Sequence, residues 1–252
     1  MGTSYSGTGT ITNDDNADPT GFYDAGSATI KNPADAANDI VLSDLYAIIN
    51  NNRLMIMSLS SVILYDATIT AVSGNDFTAT VKVYHGMDVF WNVAPPAPIE
   101  TTISGTITEG SQISGTIAGT GIGTGNFSLT YGLSNANVAA VANVMKLWEG
   151  DVNTVVQGTF DLQIINANGE IDVGFSDAPN MGIFDRCQMS GTLTSVANTT
   201  VFTQTITMIG CRVPENDGDY SGLATTTSSM HDNLVFMLSN GTVSIISVFT
   251  VK

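Results

Sequence analysis

The segment FTATVKVY, residues 77–84, decides the fold class, because its apolar and polar residues alternate with a period of two. The odd-numbered residues from Phe77 to Val83 are apolar, and the residues between them are Thr or Lys. Residues 202–208 repeat the pattern, with Thr at every position of the polar face. Such alternation predicts strands with one face against a core and the other in water.

Similar segments recur along most of the chain and predict a nearly all-β protein. Asn, Gly and Asp between them are typical of antiparallel meanders, in a barrel or a sandwich, rather than of βαβ units. One helix is predicted, Asn137 to Trp148, because apolar residues recur there at helical spacing. Further strands are predicted at residues 40–49, 53–59, 62–70, 99–108, 111–118, 126–132, 158–166, 170–175, 184–193, 219–227, 233–238 and 242–251.

The predicted helix separates two halves in which short motifs follow the same order. Ile48-Ile49-Asn50 precedes the strand at 77–83, as Ile164-Ile165-Asn166 precedes the strand at 202–208. A duplication explains this order, although two unrelated meanders also share turn chemistry. We therefore expect an N-terminal β half at 1–134, a linking helix at 135–150 and a C-terminal β half at 151–252.

The charge of the chain excludes some partners. Seven Lys and Arg stand against 23 Asp and Glu, a formal net charge of -16. This field repels nucleic-acid phosphates and anionic membrane surfaces. No apolar run has the length of a membrane span. With 43% hydrophobic and 12% charged residues, the chain is too apolar for a disordered acidic protein.

The two cysteines, Cys187 and Cys211, fall on neighbouring predicted strands. This placement is typical of a structural disulfide formed in an oxidising compartment, so we expect one bridge in the second half and an exported protein. The alternative is a pair of buried thiols, since free cysteine is common in protein cores.

An acidic segment near the start, NDDNADPTG at 13–21, resembles the first half of a calcium loop. Asp14, Asn16 and Asp18 alternate there. Asp24 lies one residue before position twelve of such a loop and would serve as a ligand in another coordination geometry. Oxygen ligands at alternate positions suit Ca²⁺, but the glycine at position six and the bidentate glutamate at position twelve are missing. Calcium binding and a plain acidic surface turn both stay open.

Phe90 and Trp91 precede the proline-rich segment VAPPAP at 93–98 and are predicted to be exposed, so they are the candidate ligand-binding residues. The glycine-rich segment 119–125 resembles a phosphate loop, but a strand follows it instead of a helix, which predicts a hairpin. No zinc signature and no common nucleophile motif is present. We therefore expect no catalytic residues.

The motifs GIFDRC at 182–187, SGTL at 190–193, DGDYSGLA at 217–224 and LSNGT at 238–242 resemble small, uncharacterised, exported lipoprotein-like proteins of Gram-negative bacteria. The segment INNNRLMIMSLSSVILYDATIT at 49–70 looks similar to the partner repeat of such proteins. The resemblance implies a barrel-like meander and a periplasmic or surface location. It brings no catalytic residues with it.

The leading functional hypothesis is an exported, non-enzymatic protein of binding, adhesion or surface assembly, with a protein or glycan surface as partner. Self-association through strand edges is part of it, because residues 5–11 alternate well enough to add to a neighbour's sheet. The alternative is a barrel that carries a small apolar ligand in a cavity lined in part by residues 54–57, Leu-Met-Ile-Met. A glycan-active enzyme is the third hypothesis.

Overall fold

A computed structural model describes residues 5–6, 19–32, 37–85, 98–119, 122–153, 157–164, 166–175, 188–211, 214–227 and 230–252. Within them the chain forms seventeen strands and one single-turn α-helix, which confirms the predicted all-β class. The chain divides into two compact units, Met1–Gly132 and Leu133–Lys252. Among the described helical residues none belongs to a helix with the length and apolar character of a membrane span.

The first unit is a meander that closes into a barrel. Each strand from β2 to β9 pairs antiparallel with the next, and β2 also pairs with β9. The additional strand β1 pairs with β5. The strands are β1 (Tyr5–Ser6), β2 (Gly21–Ile30), β3 (Ile40–Asn50), β4 (Arg53–Ser58), β5 (Ile63–Ser73), β6 (Asp76–His85), β7 (Ile99–Thr108), β8 (Gln112–Gly119) and β9 (Gly123–Tyr131).

Packed side chains fill the interior of this barrel. Phe77 and Phe127 are buried there at the two ends of one cross-strand row, and Gly105 and Gly115 lie between them. A Cβ on Gly105 would lie 3.0 Å from the Phe77 ring, and one on Gly115 would lie 3.1 Å from the Phe127 ring. The two rings therefore cover the glycine backbone and occupy the volume that side chains would otherwise take.

The methionines of residues 54–57 do not line this interior. Leu54 and Ile56 belong to the interior core, whereas Met55 and Met57 alternate with them on the outward face of β4. Both methionines are nevertheless fully buried. The predicted methionine-lined cavity is therefore wrong, because two of its residues face away from the barrel interior.

The second unit is also a closed barrel, formed by β10 to β17. It begins with a 3-10 turn at Leu133–Ala136 and the helix α1 (Val141–Val144), and a second 3-10 turn, Pro214–Asn216, precedes β15. Its strands are β10 (Leu147–Asn153), β11 (Gln157–Ile164), β12 (Glu170–Phe175), β13 (Gln188–Ser195), β14 (Val201–Ile209), β15 (Gly218–Thr226), β16 (Asn233–Ser239) and β17 (Ser244–Val251).

The helix predicted from Asn137 to Trp148 is much shorter in the structure. It spans Val141–Val144, and the strand β10 already begins at Leu147. Trp148 is fully buried, and its indole N–H donates to the Val144 carbonyl at 3.0 Å. Pairing of β10 with β11 and β17 outweighs the helical spacing of the apolar residues, a case of tertiary contacts overriding a local pattern.

The strand order of the two barrels agrees with the predicted repeat. The motifs at 48–50 and 164–166 both lie where the second strand of a barrel ends. The alternating segments at 77–83 and 202–208 form the fifth strands, β6 and β14. In that alignment Gln204 of the second barrel takes the interior position that Ala79 has in the first.

Candidate functional site

The connections between strands are distributed unevenly over the two ends of each barrel. Because neighbouring strands are antiparallel, every second connection lies at the same end. In the first barrel, one end, termed the loop end, carries connections 31–39, 59–62, 86–98 and 120–122. The opposite end, termed the short-turn end, carries 51–52, 74–75 and 109–111.

The second barrel repeats this arrangement. Its two longest connections, 176–187 and 210–217, lie at the end that corresponds to the loop end, after its third and fifth strands. Connections 165–169, 196–200 and 227–232 lie at the other end. In both barrels, therefore, the same end carries the two longest connections.

Asp44 fixes one of the loop-end connections in the first barrel. Its carboxylate accepts hydrogen bonds from the Ser58 hydroxyl at 2.6 Å and the Ser60 N–H at 2.7 Å. Partial burial acts to raise the pKa of Asp44, but these hydrogen bonds together hold it below its usual value. Within the same connection, Val62 has a φ of 52° and donates its N–H to the Leu59 carbonyl at 3.2 Å. The 59–62 connection is thus a defined turn anchored on β3.

Lys31 links the two ends of connection 31–39 and joins the connection to the start of β9. Its ammonium lies 2.8 Å from both carboxylate oxygens of Asp39, at the far side of connection 31–39. This ion pair is exposed and contributes little stability. The Lys31 N–H donates to the Thr124 carbonyl at 3.0 Å, beside Gly123 with its φ of 75°. Since β8 and β9 pair from Gly119 to Gly123, the hairpin predicted for this glycine-rich segment is confirmed.

The candidate ligand-binding residues Phe90 and Trp91 lie outside the described residues. The connection that contains them, 86–98, joins β6 to β7 at the loop end. It is the longest connection of the first barrel. Their role in binding remains a prediction. In the chain they belong to a connection whose two flanking strands, β6 and β7, meet at the loop end.

Most of the predicted calcium ligands also fall outside the described residues. These are Asp14, Asn16 and Asp18. Asp24 lies in β2, opposite Thr130 of β9, where burial raises the pKa of its carboxyl. Among the described residues no group of three or more His, Cys, Asp and Glu side chains comes together. Calcium binding therefore stays a prediction.

The predicted disulfide joins a described residue to one outside the described ranges, Cys187. Cys211 follows β14 and is buried, and its N–H donates to Asp217 Oδ1 at 2.8 Å. The other oxygen, Oδ2, accepts from the Gly210 N–H at 3.1 Å. Asp217 therefore closes the 210–217 connection, which gives this acidic turn a structural role. The bridge itself stays a prediction.

Each barrel contains a buried polar atom that the sequence did not single out. In the first barrel, no described residue forms a hydrogen bond with the Tyr65 hydroxyl, and burial raises the pKa of that group. In the second, the Gln204 amide nitrogen donates to the carbonyls of Leu223 at 2.9 Å and Met237 at 3.0 Å. No described residue bonds its Oε1 atom. Alternation predicts that both side chains face inward, but it gives no information about their partners.

The two histidines belong to different units. His85 is buried at the end of β6. His231 lies in connection 227–232, where its Nδ1 is 2.9 Å from the Thr226 hydroxyl and its Nε2 is 3.3 Å from the Asn143 amide. The Lys146 ammonium donates to its carbonyl at 2.7 Å. His231 thus ties the segment around α1 to the end of the second barrel.

Comparison with known proteins gives no family for this chain. No protein-family model matches it, and neither does any curated protein. The solved structures that are similar to it include isotype 1 transferrin-binding protein B from serogroup B Neisseria meningitidis and a single-substitution mutant of the vaccine antigen transferrin-binding protein B from Haemophilus parasuis Hp5.

The similarity to these two structures is distant. The identities are 7% and 8%, and the TM-scores are 0.25 and 0.29. The matches cover 90% and 93% of this chain, and 63% and 76% of the respective structures. Likeness at this level assigns no function to the chain.

Proposed function

We propose that the chain is an exported, non-enzymatic binding protein that contacts a protein or glycan surface through the loop end of its first barrel. The observation that carries this proposal is the concentration of the longest connections, 31–39 and 86–98, at one end of a filled barrel. Binding residues occur disproportionately on loops that a rigid scaffold positions. A closed sheet with a packed interior is such a scaffold.

The described part of the loop end supports this role. Asp44 holds the 59–62 turn, and the Lys31 N–H joins the start of connection 31–39 to β9. Fixed neighbours lower the entropy that a binding surface loses on association. We assign the contact itself to Phe90 and Trp91, because aromatic side chains offer a large contact area for few rotatable bonds.

The carrier hypothesis has less support. A carrier needs a cavity, whereas large side chains such as Tyr23, Tyr65 and Phe77 fill the interior of the first barrel. The enzyme hypothesis is weaker still, since Asp217 and His231 are engaged in hydrogen bonds that hold connections in place. Export is proposed together with the Cys187–Cys211 bridge.

The test compares the full-length protein with two variants on a printed glycan array and on a panel of immobilised extracellular-matrix proteins. The first variant, Phe90→Ala with Trp91→Ala, changes the loop end. The matched control, Thr108→Ala with Glu109→Ala, changes exposed residues at the short-turn end. We expect saturable binding to one ligand class that the first variant loses and the control keeps. Equal binding by both variants, or no binding by the unmodified protein, would refute the proposal.

A further inference from the structure

Strand β5 extends beyond the strand that covers one of its edges. Its pairing with β4 stops where Arg53 lies opposite Thr68, and the next residue, Ile69, donates its N–H to the Asn52 carbonyl at 2.7 Å. Residues 70–73 continue past this point. We call them the β5 overhang. Its edge on the β4 side is not covered by β4.

A bulge at Thr70 shapes the overhang. Ile69 lies opposite Ala79 of β6, but Ala71 lies opposite Thr78, so Thr70 is an additional residue in β5. Beyond the bulge, Val72 packs against the interior core. Pairing with β6 continues to Ser73, so the other edge of the overhang is occupied.

The short strand β1 of the same chain pairs with the edge that β4 leaves uncovered. Tyr5 lies opposite Val72 and Ser6 opposite Ala71, in antiparallel register. In the described part of the chain, β1 pairs with β5 alone. Residues 7–20 connect β1 to β2, and a chain of that length spans up to about 45 Å when extended. This length sets an upper limit of about 45 Å on the distance over which β1 can reach the same edge of another molecule.

We propose that the β5 overhang is a strand-acceptor site whose occupant in assemblies is β1 from a second copy of this chain. The main-chain hydrogen bonds are the same whether β1 comes from the same molecule or from another. The local concentration of neighbouring copies therefore decides between the closed monomer and the exchanged assembly. Crowding on a surface favours exchange. This interface is separate from the loop end and does not depend on the binding function proposed there.

The test uses two single-cysteine additions in separate batches of the full-length protein, Tyr5→Cys and Val72→Cys. The batches are mixed over a range of concentrations under mild oxidation, and the cross-linked peptides are identified by mass spectrometry. Paired residues on adjacent antiparallel strands have Cα separations compatible with a disulfide. We expect a mixed Tyr5→Cys and Val72→Cys cross-link whose yield rises with protein concentration.

The control replaces Val72→Cys with Thr108→Cys, an exposed position at the same end of the barrel that does not pair with β1. A Tyr5 to Val72 cross-link several-fold above this control supports strand exchange. A yield equal to the control overturns it. A third protein carries both substitutions in one chain. If this protein forms an internal bridge while the mixture of the two single variants gives no mixed cross-link, β1 stays on its own molecule, and the proposal is overturned.

Discussion

Removing the Tyr65 hydroxyl should stabilise the first barrel. Tyr65 is fully buried, and no described residue forms a hydrogen bond with its hydroxyl. In Tyr65→Phe the ring keeps its packing in the core, while the buried oxygen is removed. Tyr23 offers a matched control in the same barrel, because its hydroxyl donates to the Pro19 carbonyl at 3.0 Å. The two substitutions delete the same atom from two different environments.

The expected magnitudes follow from those environments. An unsatisfied buried hydroxyl costs about 1–3 kcal/mol, so Tyr65→Phe should raise the free energy of unfolding by about 1–2 kcal/mol. A satisfied hydrogen bond contributes about 1 kcal/mol net, so Tyr23→Phe should lower the free energy by about that amount. The two variants should therefore change stability with opposite sign.

Urea unfolding of the full-length protein, followed by hydrogen exchange and mass spectrometry, would measure both effects within the first barrel. Peptides from β5 and β6 report the stability of that barrel even if the second unfolds at another urea concentration. Destabilisation by Tyr65→Phe would refute the reasoning. It would show that the hydroxyl has a native hydrogen-bond partner.

Three further predictions follow. Gly115→Val should destabilise the first barrel by about 2–3 kcal/mol in the same exchange experiment, because its side chain would collide with the Ser104 carbonyl. The pKa of Asp44 is lowered in the folded protein, so its stabilisation is complete above the unfolded pKa of about 3.9 and is lost as pH falls through the folded pKa. Asp44→Asn should therefore flatten the loss of stability below about pH 5 in urea titrations. Intact mass without reductant should be about 2 Da below the two-thiol value if Cys187 and Cys211 are bridged, a two-electron oxidation.

Two of these predictions have a matched control variant. Gly110→Ala adds a side chain where no atom lies within 4 Å, so it tests the backbone term alone. Asp76→Asn changes an exposed carboxylate at the short-turn end. Its free energy of unfolding should therefore fall more steeply below about pH 5 than that of Asp44→Asn. If Asp44→Asn loses stability below about pH 5 as steeply as the unmodified protein, the prediction for Asp44 is contradicted. An intact mass with two free thiols contradicts the predicted bridge.

The strands that the sequence predicted well are those with unbroken alternation. The strand β6 is an example, with its inward face from Phe77 to Val83. The strand β2 was missed because the register shifts on both sides of Gly26, next to Ala25 with a φ of 48°, so its apolar residues change faces. The strand β10 was missed for the opposite reason, because Trp148 completes a convincing helical pattern that only the pairing partners override.

The loop end could be predicted from the sequence, although it was not. Numbering the predicted strands from 40–49 onward would have placed connections 59–62 and 86–98 at one end, but not 31–39, because β2 was missed. The interior polar groups are different. Alternation places Tyr65 and Gln204 inside, but whether their oxygen atoms find partners depends on the backbone of distant strands. That information becomes available only with the fold.

Because the first barrel has an even number of antiparallel strands, the chain enters it and leaves it at the same end, the short-turn end. The segment that begins at Leu133 therefore leaves the first barrel and enters the second without using either loop end. A gene duplication could add the second copy without interrupting any long connection. Each connection could then lengthen and diverge by insertion while the hairpin turns kept the strand register, so two copies could acquire different ligands from one ancestral scaffold.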